Sequence, residues 1–284
     1  MRKTRVLAAA LSLLLLAALV GTGAAAAPEA GPGGAAAVEA GPEIHVIARV
    51  SGTFVSAAGS EPPGFDVDLL RRFNAWQKLH GRQEARLVFA YAPTVPAVLE
   101  AIQNGTASLG IGGVTVTAER AKVVDFTAGT LPVRSVLIAP PGVLDPQRWR
   151  VLLKGMRLGA TVGSTNAAEV DRLAAAIGGV KGNTSFKSNE AVFDALTGDS
   201  RGLDAAIVDL PQYWTTGKQK GLLFIDNIGQ PQTMAFVLKK GSPLKPQLDQ
   251  FLESFTHSSD YFLLIRRYFG QDAEQMIRLS RGGT

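Results

Sequence analysis

The sequence predicts an α/β chain folded as two lobes, and three observations carry that prediction. Short apolar strand patterns alternate with helical patterns between residues 43 and 111. The same alternation returns between residues 157 and 208. Two βαβαβ units in one chain imply two α/β lobes. From about residue 230 onward there is one strand pattern followed only by helices, which cannot make a lobe alone. That tail is expected to return to the first lobe, giving lobe 1 as residues 43–131 with 232–284 and lobe 2 as 132–231. The chain would then cross between lobes near Gly129–Val133 and near Gly229–Thr233, and two crossings make a hinge.

The elements follow in order. Ile44–Val50 reads as an apolar strand, and Leu69, Leu70, Phe73 and Trp76 recur at helical spacing. Arg86–Tyr91 is the second strand. Thr94 caps a short helix with Pro96 in its first turn, and Asn104-Gly105 suits a left-handed end. Ala107–Ile111 is the third strand and runs into Gly112-Gly113. In the second unit the spacing predicts a strand at Arg157–Thr161, a helix over Thr165–Ile177 and a strand at Thr184–Phe186. A helix at Glu190–Leu196 and a strand at Asp204–Val208 complete it. The tail predicts a strand at Met234–Leu238 and helices at Pro243–Phe255, Tyr261–Phe269 and Asp272–Arg278.

The N-terminus has a separate logic. Arg2, Lys3 and Arg5 precede an apolar run from Leu7 to Val20, and small residues Gly21 to Ala27 follow. That order is the order of a secretory signal peptide, assigned to residues 1–26. The run is 14 residues, short of the ~20 a membrane-spanning helix needs, so the mature chain is expected not to be membrane-embedded. Residues 27–42 are nearly all Ala, Gly, Pro and Glu, and so read as a disordered tether.

Composition removes several function classes. The 284 residues contain no cysteine, which excludes a lipid-anchored leader, disulfides, thiolate metal sites and cysteine nucleophiles. His45, His80 and His257 are scattered without metal-ligand spacing, so neither a metal nor a cofactor is expected. The formal charge is +5, but three of the 29 basic residues lie in the leader, leaving 26 against 24 acidic. No basic stripe with interleaved aromatics occurs, so nucleic acid is not an expected partner.

Ligands of open parallel sheets bind outside the carboxyl ends of the strands. The candidates there are Arg49 after the first strand, Gly112, Gly113 and Thr115 after the third, and Arg120 one short turn later. From the second unit come Gly163, Ser164 and Thr165 at a helix start, and Asp209 after the last strand. An arginine fork binds a carboxylate through two parallel hydrogen bonds. Amides at a helix start add donors and a favourable dipole, and a lone aspartate suits an ammonium. The set is therefore complementary to an amino acid, with its two halves on opposite lobes. Each residue also has an ordinary alternative. Arg120 can be a surface or capping residue, Asp209 an N-cap before Leu210-Pro211, Ser164-Thr165 a plain helix start, and Arg49 a solvated edge charge.

The segment Gly113-Val114-Thr115-Val116-Thr117-Ala118-Glu119-Arg120-Ala121-Lys122-Val123-Val124-Asp125-Phe126-Thr127 resembles, almost position for position, the signature of the extracellular solute-binding proteins of polar amino-acid ABC transporters. Gly64-Phe65-Asp66-Val67-Asp68-Leu69, Val162-Gly163-Ser164-Thr165, Asp204–Asp209 and Tyr268-Phe269-Gly270 also match, in the family's order, and the resemblance spans Ile44 to Gly270. It implies the two-lobed periplasmic-binding-protein fold (type II), a monomer outside the inner membrane, and delivery of an amino acid to a membrane permease. Residue by residue, it implies that Arg120 grips the ligand α-carboxylate with help from Thr165 and that Thr115 bridges carboxylate and ammonium. The Gly113 carbonyl and Asp209 would receive the ammonium.

The departures bear on the ligand. Relatives that bind basic or amide side chains carry an aspartate after the first strand and aromatic rings around the ligand; here that strand ends in Arg49 and the second helix begins with Val95. A cationic side chain facing Arg49 would be repelled, whereas Arg49-Val50-Ser51-Gly52-Thr53-Phe54 is similar to the version in acidic-amino-acid binders. Glutamate or aspartate is the expected ligand. The same fold hosts cyclohexadienyl dehydratases, for which Glu61 near the cleft rim is the one spare carboxylate, and it also hosts ligand-sensing modules for chemoreceptors or sensor kinases. Tyr213 and Trp214 are minor candidates for the cleft wall.

Overall fold

The computed structural model describes residues 42–61, 63–199 and 201–283. The signal peptide expected at 1–26 and the tether expected at 27–42, apart from Pro42, lie outside the described residues.

The first half of the chain runs β1 (Glu43–Arg49), α1 (Phe65–Leu79), β2 (Arg86–Ala92), α2 (Val95–Gln103), β3 (Leu109–Ile111), the single-turn α3 (Ala118–Ala121) and β4 (Asp125–Phe126). The second comprises β5 (Leu131–Ala139), α4 (Trp149–Leu152), β6 (Arg157–Thr161), α5 (Thr165–Ile177), β7 (Lys181–Phe186), α6 (Asn189–Thr197) and β8 (Ala205–Asp209). After β8 come α7 (Leu210–Gln212), a π-helical turn at Tyr213–Gly217 and the long strand β9 (Leu223–Met234). The chain closes with β10 (Val237–Leu238), α8 (Lys245–Phe255), α9 (Ser259–Phe269) and α10 (Ala273–Ser280). No described helix is long and apolar enough to cross a membrane.

Two five-stranded sheets result, in the orders β2-β1-β3-β10-β4 and β7-β6-β8-β5-β9. In the first, β1 pairs in parallel with β2 and β3; in the second, β6 pairs in parallel with β7 and β8. The carboxyl ends of all six parallel strands are therefore available to one cleft, as the switch-point rule requires. Each sheet also has one strand running the other way: β10 in the first and β5 in the second, with β9 antiparallel to β5 at the sheet's edge.

Strands β5, β9 and β10 depart from the spacing-based expectation. Met234 is not the start of a strand in the first sheet. It ends β9, opposite Leu131, and only Val237 and Leu238 enter the first sheet. The reason is local. Gln230-Pro231-Gln232-Thr233 is polar and carries a proline, so it has no strand alternation, yet β5 is long enough to hold it in register. Pro132 hides the start of β5 in the same way. The two segments that pass between the sheets are thus neighbours, paired as Leu131 with Met234, Pro132 with Thr233 and Val133 with Gln232.

Helix α1 shows why these elements pack. Phe65, Leu69, Leu70 and Phe73 fall on one stripe and are fully buried. Each contributes roughly 1.5–3 kcal/mol relative to exposure. Phe65 packs against Phe54, Tyr261, Tyr268 and Phe269, so α9, late in sequence, is sealed onto the first sheet's helix layer. Tyr261 also donates a 2.7 Å hydrogen bond to the Thr130 carbonyl, tying α9 to the segment entering β5.

Candidate functional site

The ends of the parallel strands meet around one small cavity. Seven of the nine strand-end candidates line it, Arg49, Gly113, Thr115 and Arg120 from one side and Ser164, Thr165 and Asp209 from the other, while Gly112 and Gly163 stand just outside the lining. Its volume is about 20 Å³, room for about one water. A larger recess of about 620 Å³ lies behind the paired strands, among Thr130, Pro231, Tyr261 and Arg281. No parallel strand ends there, and it lacks a carboxylate to pair with an ammonium, so it is not the site the strand ends build.

Arg49 leaves the end of β1 and is 8% exposed. Its Nε and Nη2 donate to the Gly112 carbonyl at 3.2 and 2.8 Å. Arg120 sits on α3, whose start is capped by Thr117 accepting from the Arg120 amide. Its Nη1 donates to the Thr115 carbonyl at 2.7 Å and its Nη2 to the Gly163 carbonyl at 3.1 Å. The surface-residue alternative for Arg120 does not hold, because the fork bridges the two sides of the cleft.

Asp209 stands at the first position before α7 yet makes no capping hydrogen bond. Its carboxylate accepts instead from Asn166 Nδ2 at 3.0 Å, and Asn166 Oδ1 in turn accepts from Ser135 at 2.6 Å. The cap expected as the ordinary reading is therefore absent, and the carboxylate is aimed by a relay that starts on β5. Ser164 is different. Its hydroxyl caps α5 by accepting from Ala167 and donates to the Thr161 carbonyl, so its side chain is committed to the helix start.

The electrostatics follow from burial. Removal from water pushes the Asp209 carboxyl above its ordinary value, opposed by the Asn166 hydrogen bond and by Arg49 and Arg120. Burial likewise lowers both guanidinium groups, with Asp209 acting against it in each case. Among the described residues neither arginine is within ion-pair distance of Asp209. Two cations and one carboxylate thus face one space without quenching each other, leaving it net positive.

Contacts across the cleft are direct. Gln212 Nε2 donates to the Ser51 carbonyl at 3.0 Å, and the Thr53 and Thr215 hydroxyls share a 2.9 Å hydrogen bond. Gly163, at φ +66°, lies so near Pro96 that an added Cβ would fall 2.5 Å from its Cγ. Gly163→Ala is therefore expected to weaken ligand binding by about tenfold, about 1.4 kcal/mol, in an isothermal titration. A methyl there opposes apposition of the two sides and adds left-handed strain.

Sequence reasoning missed Asn166, Asn189 and Thr161, which also line the cavity. Thr161 donates to Asn189 Oδ1 at 2.8 Å, joining the end of β6 to the start of α6. Two residues at helix starts and one at a strand end carry no pattern that separates them from ordinary caps. Tyr213 and Trp214 do not reach the cavity. The Tyr213 hydroxyl accepts from the Phe224 amide, and Trp214 is covered by Lys218. Glu61 is equally remote, 71% exposed and beside Arg71, which leaves Asp209 as the one carboxylate in the lining.

The sequence profile of the bacterial extracellular solute-binding proteins, family 3, matches residues 50–271. The chain belongs to that family. A probable histidine-binding protein from Neisseria gonorrhoeae is 26% identical to this family 3 chain over 225 residues, covering 76% of the chain and 78% of that protein. The fold is shared with the ligand-binding core of GluR0 from Nostoc punctiforme, solved in complex with L-glutamate. That structure has a TM-score of 0.66 and 23% identity, over 80% of this chain and 99% of that one. It is shared too with an ancestral amino acid-binding protein described as a precursor of cyclohexadienyl dehydratase. Here the TM-score is 0.67 with 20% identity, over 80% and 95% of the two chains. The two sheets are accordingly those of the two-lobed fold of amino-acid-binding periplasmic proteins.

Proposed function

We propose that this family 3 protein is exported by its first 26 residues, captures an acidic amino acid, glutamate or aspartate, in the cleft, and delivers it to an ABC transporter permease. The observation that carries this reading is the lining itself: Arg49 and Arg120 against the single carboxylate of Asp209. A zwitterion with a side-chain carboxylate brings one net negative charge, which offsets the one net positive charge of the lining. Arg120 and the start of α5 take the α-carboxylate, with Thr115 and Thr165 beside it. Asp209 and the Gly113 carbonyl take the ammonium, and Arg49 takes the side chain. A basic ligand, as the name of the Neisseria relative would suggest, meets a buried cation at Arg49, while the one carboxylate of the lining, Asp209, is taken by the ammonium.

The cavity is too small for any amino acid, so the ligand enters by separation of the lobes, 43–131 with 232–284 against 132–231. The paired segments around Pro132 and Thr233 serve as the hinge. Acid catalysis of dehydration would need a second carboxyl group over the ligand, and Glu61 lies too far out to supply it.

The test is a thermal-shift panel on residues 28–284, freed of carried-over ligand, with the twenty amino acids and prephenate. A ligand at a hundredfold over its dissociation constant stabilises by about 2.7 kcal/mol. Glutamate or aspartate alone is expected to shift the midpoint. A shift by a basic or neutral amino acid overturns the ligand assignment, and a shift by prephenate alone overturns transport. Arg49→Ala is expected to weaken glutamate binding by about 30-fold, about 2 kcal/mol, while glutamine binding changes little.

A further inference from the structure

Asp66, the second residue of α1, is 3% exposed and lies outside the cavity lining. Its Oδ2 accepts from the amides of Gly112 and Gly113, both at 2.9 Å, while Oδ1 is buried without a partner. The Gly113 N–H and the Gly112 C=O belong to one peptide group. That carbonyl is the acceptor for both Arg49 hydrogen bonds. One peptide is therefore held between an anion at its N–H end and a cation at its C=O end. Each polarises it in the sense that strengthens the other.

Arg49 has another attraction to follow, since Asp209 and Glu190 both act on it electrostatically. What restrains the fork is a pair of hydrogen bonds to an uncharged oxygen, backed by Asp66. Glycine is required for this close approach: a Cβ at Gly112, φ +119°, would fall 2.6 Å from the Arg49 carbonyl oxygen. We infer that Asp66 is a positioning residue for the cleft, acting through the Gly112–Gly113 peptide to hold the Arg49 fork away from Asp209, so that Asp209 is left to receive the ligand ammonium. This rests on the ligand geometry proposed above.

The carboxyl is poised for titration. Burial raises it to about 6, against the opposing pull of the Gly113 and Gly112 amides and of Arg49. The charged and titratable groups around it are Arg49 at the end of β1 and Tyr261 on α9, with Arg281 beyond Tyr261. On its own helix Asp68 is already engaged by Tyr268, Arg267 and Arg71. A proton on the carboxyl removes the anion behind the peptide, so wild-type affinity is expected to fall as pH drops through about 6.

The experiment is a double-mutant cycle with glutamate as probe, on wild type, Asp66→Asn, Arg49→Ala and the double variant, repeated from pH 5 to 8. Asparagine can still accept from both amides but carries no charge. The expected result is a loss of about tenfold in affinity for Asp66→Asn in the Arg49 background, under about twofold in the Arg49→Ala background, and loss of the component of the pH profile near 6 in both Asp66→Asn variants, leaving that of Asp209. A gain in glutamate affinity would mean that Asp66 acts only as a like charge, and equal losses in both backgrounds would mean that it only holds the loop. Either overturns the inference. The ligand-free chain gives a second readout. The Arg49 Nε–H resonance should exchange slowly in wild type and rapidly in Asp66→Asn, and equal exchange overturns the inference even if no amino acid binds. Failure of every amino acid in the thermal-shift panel would instead overturn the functional reading alone.

Discussion

Arg120→Ala is expected to abolish useful binding of every amino acid, with an affinity loss of about 1000-fold, about 4 kcal/mol. Two effects combine in that figure. The guanidinium is the cation nearest the start of α5, where the α-carboxylate common to all amino acids would sit, and a charge-assisted fork is among the stronger single contacts a protein makes. The same group also reaches from the Thr115 carbonyl to the Gly163 carbonyl, so its loss removes a bridge between the two sides. Isothermal titration measures the first effect. The second is separated by Arg120→Lys, which keeps a charge but cannot make both hydrogen bonds, and should recover only part of the loss. Because Arg120 is only half-buried and lies on a single-turn helix at the cleft, the ligand-free melting temperature should move little. A large drop in that temperature would mean that Arg120 holds the fold and not the ligand.

What could be read from the sequence was set by periodicity and by strand ends. Helix α5 and strand β6 fall where the spacing predicts them, because Val170 and Leu173 repeat on one face and Arg157–Thr161 is a short run bounded by Gly155 and Gly163. Seven of the nine candidate residues reach one cavity because the end of a parallel strand is a fixed place in this architecture, whatever the side chains there do. Residues whose role comes from a partner distant in sequence were not legible. Asn166 matters because Ser135 and Asp209 flank it, 31 and 43 residues away. Asp66 matters because β3 brings Gly112 over it, 46 residues on. Strands β5 and β9 were hidden for a related reason: each is held by the other, and Pro132 and Pro231 mask both. Local pattern identifies elements that bury a regular face, and it fails where register with a partner does the work.

Asp209→Asn is expected to weaken glutamate binding by about 100-fold, about 3 kcal/mol, while leaving the cavity's shape unchanged. The amide can still accept from Asn166, so the relay from Ser135 survives and only the charge is lost. The ligand's ammonium identifies the role. Glutarate, which has both carboxylates of glutamate but no ammonium, should bind the wild type far more weakly than glutamate does. In Asp209→Asn the two should approach each other, because an anion that repelled glutarate has gone along with the partner of the ammonium. The pH dependence has a definite sign. Burial raises the Asp209 carboxyl in the ligand-free chain, and an ammonium beside it favours the ionised form, so binding lowers that pKa and releases a proton where the two values bracket the working pH. Glutamate affinity therefore rises with pH through the raised Asp209 value, and this component disappears in Asp209→Asn. If the substitution weakens glutarate and glutamate equally, Asp209 supports the cleft wall and the ammonium is received elsewhere.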